Sequence, residues 1–310
     1  MKIKYLCILF IISLTLKNSY SFNQSTFSKI NNFFESVNSE LRFEEKDIKL
    51  FNDQALFKKG HQSSYYNIPL PYFFFKGSSD QTVMWIGGVH ADEFAALYSS
   101  LKLIKHLLND SHKFKKNIVF IPLLNIDGLL KGIKARGYPY RENGNRVDIN
   151  RSFYAYDLLP NYTSENETEF VIELIKRYQP KHWVIPHSAL GILDFDGLLD
   201  DNAKKWLQNI YEETVNSGGR PIPIKRHGHY SPPNSKINWS IGKLAHHLGN
   251  IHSLTYEFHG PGDYPRDDDP NRYQIILKRK QLGRFEDSCW LAEDYYFDYL
   301  GSFLKSLFIQ

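Results

Sequence analysis

Short, unbroken apolar runs alternate with helix-period segments along the middle of this chain, and that alternation constrains the fold more than any other feature. Thr82 to Val89 (TVMWIGGV) reads as a buried strand ending in a Gly-Gly turn, and Glu93 to Leu108 follows with helical periodicity. Asn117 to Leu124 (NIVFIPLL) is a second buried strand. Glu165 to Tyr178 reads as helix, His182 to Pro186 as a short strand, Ala203 to Asn216 and Trp239 to Leu248 as helices, and Ile251 to Phe258 as a late strand. Continuous apolar strands between amphipathic helices predict an α/β fold whose sheet is covered on both faces. Ahead of this core, Ser25 to Asp53 is predicted helical, with Ile30, Phe33, Phe34, Val37 and Leu41 at helical spacings. A Tyr/Phe-rich stretch, Tyr65 to Phe75, follows and is broken by Pro69 and Pro71. The 310 residues contain no internal repeat and no low-complexity linker, so a single domain over 22–310 is expected.

Residues 1–21 are set apart by composition. Met1-Lys2-Ile3-Lys4 is a short basic start, Tyr5 to Leu16 is almost wholly apolar, and Ser19-Tyr20-Ser21 offers small residues suited to signal peptidase. The segment predicts a cleavable secretory signal, too short to span a bilayer comfortably. Removal would leave Cys289 as the only cysteine, so the fold is expected to stand without an internal disulfide in a secreted or periplasmic setting. No stable membrane insertion is expected after that removal. The formal charge of +4, with no basic stripe interleaved with aromatics, argues against a nucleic-acid partner.

One constellation carries chemistry. His90-Ala91-Asp92-Glu93 follows a predicted strand and opens a predicted helix, so a tight turn can bring His90 and Glu93 into one site. Gly87-Gly88 lets the backbone turn sharply there. His187 ends another apolar run, Trp183 to Ser188, and would supply a third donor from the sheet edge where α/β proteins place ligands. Two imidazoles and one carboxylate are a donor set for catalytic zinc, which takes three protein ligands and keeps one position open. His227-Gly228-His229 and His246-His247 lack such convergence, and Asp263 to Arg272 (DYPRDDDPNR) reads as a solvated loop.

These residues resemble the zinc carboxypeptidase family of the carboxypeptidase A type, whose motifs occur here in the family's order. His90-x-x-Glu93 is similar to the first ligand pair. Asn125-Ile126-Asp127-Gly128 is similar to the family's Asn-Pro-Asp-Gly turn, with Ile for Pro. Arg141-Glu142-Asn143 running into Val147-Asp148-Ile149-Asn150-Arg151-Ser152-Phe153 is similar to the Arg-x-Asn segment and the Gly-Val-Asp-Leu-Asn-Arg-Asn-Phe that follows it. His187 stands at the third ligand, and Thr255-Tyr256-Glu257 at the Thr-x-Glu of the catalytic base. Together they span about two-thirds of the chain. The resemblance implies a mixed, twisted eight-stranded sheet with helices on both faces, and one zinc held by His90, Glu93 and His187. It implies Glu257 as general base and Arg141 at the developing oxyanion. Arg136 and Arg146 lie close by, but Arg141 alone has the family's spacing to Asn150. It implies, too, that Asn150 and Arg151 hold the substrate's terminal carboxylate. Pro186 stands where an acidic residue often precedes the third ligand, and neither Tyr230 nor Trp239 is a clear counterpart of the family's mobile active-site tyrosine.

Within the family, His187-Ser188-Ala189-Leu190-Gly191-Ile192-Leu193-Asp194-Phe195-Asp196-Gly197 resembles a segment of bacterial murein peptide amidases. That likeness implies a peptide substrate from peptidoglycan stems containing diaminopimelate, with Asp194 and Asp196 as candidate contacts to its side chain. A general peptide carboxypeptidase and an acylamino-acid deacylase of the aspartoacylase-like branch are the alternatives, and a wall-binding protein without activity is a further one.

Overall fold

A computed structural model describes residues 63–109, 114–136, 139–153, 164–195, 200–216, 224–225 and 239–259, with the isolated helical positions 28 and 32. The predicted signal at 1–21, most of the predicted helix at 25–53, Asp196, the 227–229 histidines, Tyr230 and residues 263–272 lie outside the described residues. In chain order the elements are β1 (Phe73–Phe75), β2 (Thr82–Ile86), α1 (Phe94–Asn109), β3 (Asn117–Ile121), α2 (Ile126–Arg136) and a 3₁₀ turn (Ile149–Arg151). There follow α3 (Asn166–Tyr178), β4 (His182–Phe195), α4 (Asp201–Asn216), β5 (Ile224–Lys225), α5 (Ile241–Leu248) and β6 (His252–His259).

The expected α/β sheet is present. Every residue of β2 and of β3 is buried, as strands covered on both faces require. The two pair in parallel, Met84 opposite Val119 and Trp85 opposite Phe120, and the stacked Trp85 and Phe120 rings lie 5.6 Å apart. β1 adds an antiparallel edge to β3, and β2 pairs in parallel with β4 through Val83–Trp85 and His182–Val184. The core continues onto the helices through Leu97, Leu101 and Ile104 of α1 and Phe170, Val171 and Leu174 of α3. Among the described residues no helix is long and apolar enough to cross a membrane.

β4 is longer than its sequence suggests, and it is used twice. From His182 to Ala189 its partners on β6 climb from His252 to His259. From Leu190 to Phe195 they descend again, from His259 to Leu254. Thr255 therefore has Ile185 on one flank and Asp194 on the other, so β6 lies between the two halves of β4. The six strands make seven passes along one mixed sheet, compared with the eight strands expected. The Tyr/Phe-rich stretch supplies β1 despite its prolines, which fall before the strand. The sequence marks only the Asn125–Gly128 turn here; that turn opens directly into a helix, Ile126–Arg136.

Candidate metal centre

The loops that follow β2 and β3 are laced together, and this places the first two candidate ligands. Gly87 N–H donates to Ile121 O at 2.8 Å, while Gly87 O and Gly88 O accept from Leu124 N–H and Asn125 N–H at 2.9 and 2.8 Å. A side chain at Gly87 would collide with Ser100 and the Pro122 carbonyl, and Gly88 adopts φ +59°, in the left-handed region that favours glycine. The chain then turns through His90 to Glu93, the residue preceding α1, whose N–H points back to His90 O at 3.4 Å.

His187 arrives from the first half of β4. His90 Nδ1 lies 2.6 Å from Glu93 Oε1, His187 Nδ1 lies 2.8 Å from Glu93 Oε2, and the two imidazole rings are 4.8 Å apart. One ligand atom from each of the three residues falls within 4.8 Å of the others, and this is the only such group among the described residues. Two buried imidazoles sharing one carboxylate are the nitrogen and oxygen donors that zinc prefers, so the residues fit the ion. Burial opposes charge on His90, but Glu93 and the hydrogen bond to Asp148 outweigh it and hold its pKa at about 9, with Arg141 pulling the other way. Glu93 is pulled well below the usual carboxylate range. Burial opposes that shift, but the charges of His187 and His90 prevail.

Asp148 is the functional residue that sequence reasoning passed over. Its Oδ1 lies 2.9 Å from His90 Nε2, its Oδ2 accepts from Arg141 Nε at 3.1 Å, and it caps the 3₁₀ turn by accepting from Asn150 N–H at 2.9 Å. Burial raises its pKa, yet the hydrogen bond and charge of His90 and the charges of Arg141 and Arg151 bring it far below normal. A carboxylate on the far nitrogen of a ligating histidine fixes the ring's orientation and raises its basicity. The signal was available: an acid two positions before Asn150 in the quoted motif. No acid precedes His187, where Pro186 stands buried, and Asn150 Nδ2 is instead 3.3 Å from His187 Nε2.

Arg141 Nη1 reaches Glu93 Oε1 at 3.0 Å, so the half-exposed guanidinium borders the donor cluster. Its backbone is anchored by Asn125, whose Nδ2 donates to Arg141 O at 2.7 Å while its Oδ1 accepts from Gly128 N–H at 2.9 Å. A side chain at Gly128 would collide with Asn125 and the Glu142 carbonyl, and Asp127 accepts from Ser64 Oγ and Tyr66 N–H at 2.6 and 3.0 Å. The Asn-Ile-Asp-Gly turn is thus the clamp that sets Arg141.

The remaining predicted residues are placed as follows. Glu257 on β6 is the register partner of His187 on β4, so both side chains leave the same face of the sheet. Asp194, 2 % exposed, is the partner of Thr255 and shares that face one step further along. Asn150 has its amide engaged, with Oδ1 accepting from Ile241 N–H at 3.1 Å. Arg151 is exposed and donates from Nη1 to Asn150 O at 2.8 Å. Trp239 is a core residue.

Residues 63–188 match the family profile described as zinc carboxypeptidase. The chain is a zinc carboxypeptidase-like hydrolase. Solved structures aligned at TM-scores above 0.5 agree with this hydrolase at the level of fold. A chain from the complex of bovine thrombin-activatable fibrinolysis inhibitor with tick carboxypeptidase inhibitor aligns at TM-score 0.54 and 14% identity, covering 88% of the hydrolase and 96% of that chain. Carboxypeptidase A from Helicoverpa armigera aligns at 0.53 and 16%, covering 88% and 74%. Murein-tripeptide amidase MpaA from Escherichia coli O157 aligns at 0.46 and 18%, covering 81% and 96%. No curated protein matches the hydrolase.

Proposed function

We propose that this hydrolase cleaves an amide bond near the C-terminus of a peptidoglycan stem peptide containing diaminopimelate, outside the inner membrane, with one zinc ion per chain held by His90, Glu93 and His187. The observation that supports the reading is the register of His187 with Glu257, by which Glu257 shares a sheet face with one of the clustered donors. When bound, zinc supplies Lewis-acid polarisation of a carbonyl oxygen and lowers the pKa of water. Glu257 takes a proton from the attacking water and returns it to the leaving amine. Arg141, steered by Glu93 and Asp148, turns its remaining N–H groups to the developing oxyanion. Arg151, exposed beside Asn150, offers a two-pronged match to a terminal carboxylate.

Asp194 supports the choice of substrate. A buried carboxylate two β6 residues from Glu257 on the shared face suits a substrate side chain that ends in an ammonium, as diaminopimelate does. The basic-apolar leader supports export. Incubation with purified muropeptides, read by mass, is the test. Release at diaminopimelate is expected. Intact muropeptides alongside trimmed linear peptides would make the enzyme a general carboxypeptidase, and cleavage confined to N-acyl amino acids would place it with the deacylases.

A further inference from the structure

One buried carboxyl group stands outside the metal cluster and yet is wired to it. Glu167, in the first turn of α3, is fully buried, and its Oε1 has no hydrogen-bond partner among the described residues. Its Oε2 accepts from Asn143 Nδ2 at 3.1 Å, and the same amide group donates to Glu165 Oε2 at 2.8 Å. The other end of Asn143 closes a loop: Oδ1 accepts from Asn145 N–H and Val147 N–H, both at 3.0 Å, and Asn143 N–H donates to Val147 O at 3.0 Å. The residues that flank this loop are Arg141 and Asp148, the pair that grips Glu93 and His90. One hydrogen bond thus joins Glu167 to Asn143, two residues from Arg141, and a second joins Asn143 to Val147, the residue before Asp148.

We propose that Glu167 is a positioning residue whose ionisation, passed through Asn143, sets the placement of Arg141 and Asp148 against the donor cluster. As a carboxylate, Glu167 holds the Asn143 amide by a charge-assisted bond; as a neutral acid, it holds the amide more weakly and the loop relaxes. Burial pushes this carboxyl up to about 7. Asp127 on α2 and Glu165 ahead of α3 add to the rise, while its own backbone N–H and the Asn143 amide pull it down. The nearby cation, Lys131 on α2, is directed to Tyr66 Oη at 2.8 Å and to Asp127's charge.

The rate arm of the test rests on the hydrolytic reading above; the infrared arm does not. On the zinc-loaded full chain, kcat and KM are followed from pH 6 to 8.5 for wild type and Glu167→Gln, which fixes the neutral state without changing size. The expected kcat deficit is about tenfold at pH 8.5 and shrinks to about twofold at pH 6, with KM and zinc content unchanged. A deficit of one size at every pH, or none, overturns the proposal. Independently of turnover, infrared titration of the wild type should show a protonated-carboxyl band vanishing with a midpoint near 7. Asn143→Ser, which removes the bridging donor, should move that midpoint upward. A wild type without such a band, or a midpoint indifferent to Asn143→Ser, overturns the proposal even where Glu167→Gln does not fold.

Discussion

His187 and Glu257 are direct register partners on adjacent parallel strands, β4 and β6. The third donor of the cluster and the proposed base are therefore held by backbone hydrogen bonding rather than by a flexible loop. Glu257→Gln preserves size and removes the base. Zinc content should equal that of the wild type, while turnover falls by more than the roughly 10²–10⁴-fold usual for acid–base help. Metal analysis beside steady-state rates checks both halves, and turnover near that of the wild type would move the base elsewhere.

His187→Ala removes one of three donors and leaves Glu93 holding His90 alone. Loss of both zinc and activity is expected, read by metal analysis after dialysis against a weak chelator. A metal-free protein with full activity would sink the assignment.

Asp148→Asn keeps the hydrogen-bonding shape but withdraws the charge from His90 and Arg141. Zinc affinity should weaken by about 10–100-fold, as for other orienting carboxylates behind metal-bound histidines. Competition with a fluorescent chelator measures this directly, and unchanged affinity would reduce Asp148 to a cap of the 3₁₀ turn.

Arg151→Ala should weaken peptides with a free C-terminus far more than amidated ones, because only the former present a carboxylate. Paired kcat/KM values on free and amidated versions of one peptide decide the point. If the wild type cuts both equally, the carboxylate clamp lies elsewhere.

A buried and a half-buried group give opposite pH dependences of stability. The folded-state pKa of Glu167 is raised, so its contribution is full below the unfolded value of 4.5 and is lost as pH climbs to about 7. The loss amounts to at most about 3 kcal/mol at 1.36 kcal/mol per unit. His182 is lowered to about 3 by burial and by the charges of Lys116 and His252, against Asp200. Its folded form therefore resists protonation, and stability falls as pH drops from 6.5 towards 3. Denaturant unfolding across pH should show Glu167→Gln gaining on the wild type above pH 7 and matching it near pH 4. A constant offset would contradict the assignment.

The strands β2 and β3 and the helix α1 were legible because each buries a continuous run or a regular stripe of its own residues. The convergence of the three candidate donors was legible for a similar reason: His90 and Glu93 are neighbours in sequence, and His187 follows an apolar run. What sequence hid depends on distant partners. The second half of β4, with Gly191 and a buried Asp194, shows no continuous apolar run of its own; it is strand because the far edge of β6 pairs with it. The helix α2 carries Gly128 and Gly132, poor helix formers. Both are required by close backbone approaches, of Glu142 and of Pro139 and Tyr140. Asp148 went unremarked because its main partner, His90, lies 58 positions away.

The placement of β6 between the two halves of β4 has a consequence for how the enzyme comes into being. A ribosome that has delivered residue 195 has already supplied all three metal donors and both future neighbours of β6, but the strand that separates those neighbours is still unmade. Closing the sheet must await a segment some 70 positions beyond its partner, and such long-range pairing is slow. Nascent chains should therefore be able to load metal well before they can hydrolyse anything, because the proposed base, Glu257, arrives with the last described strand.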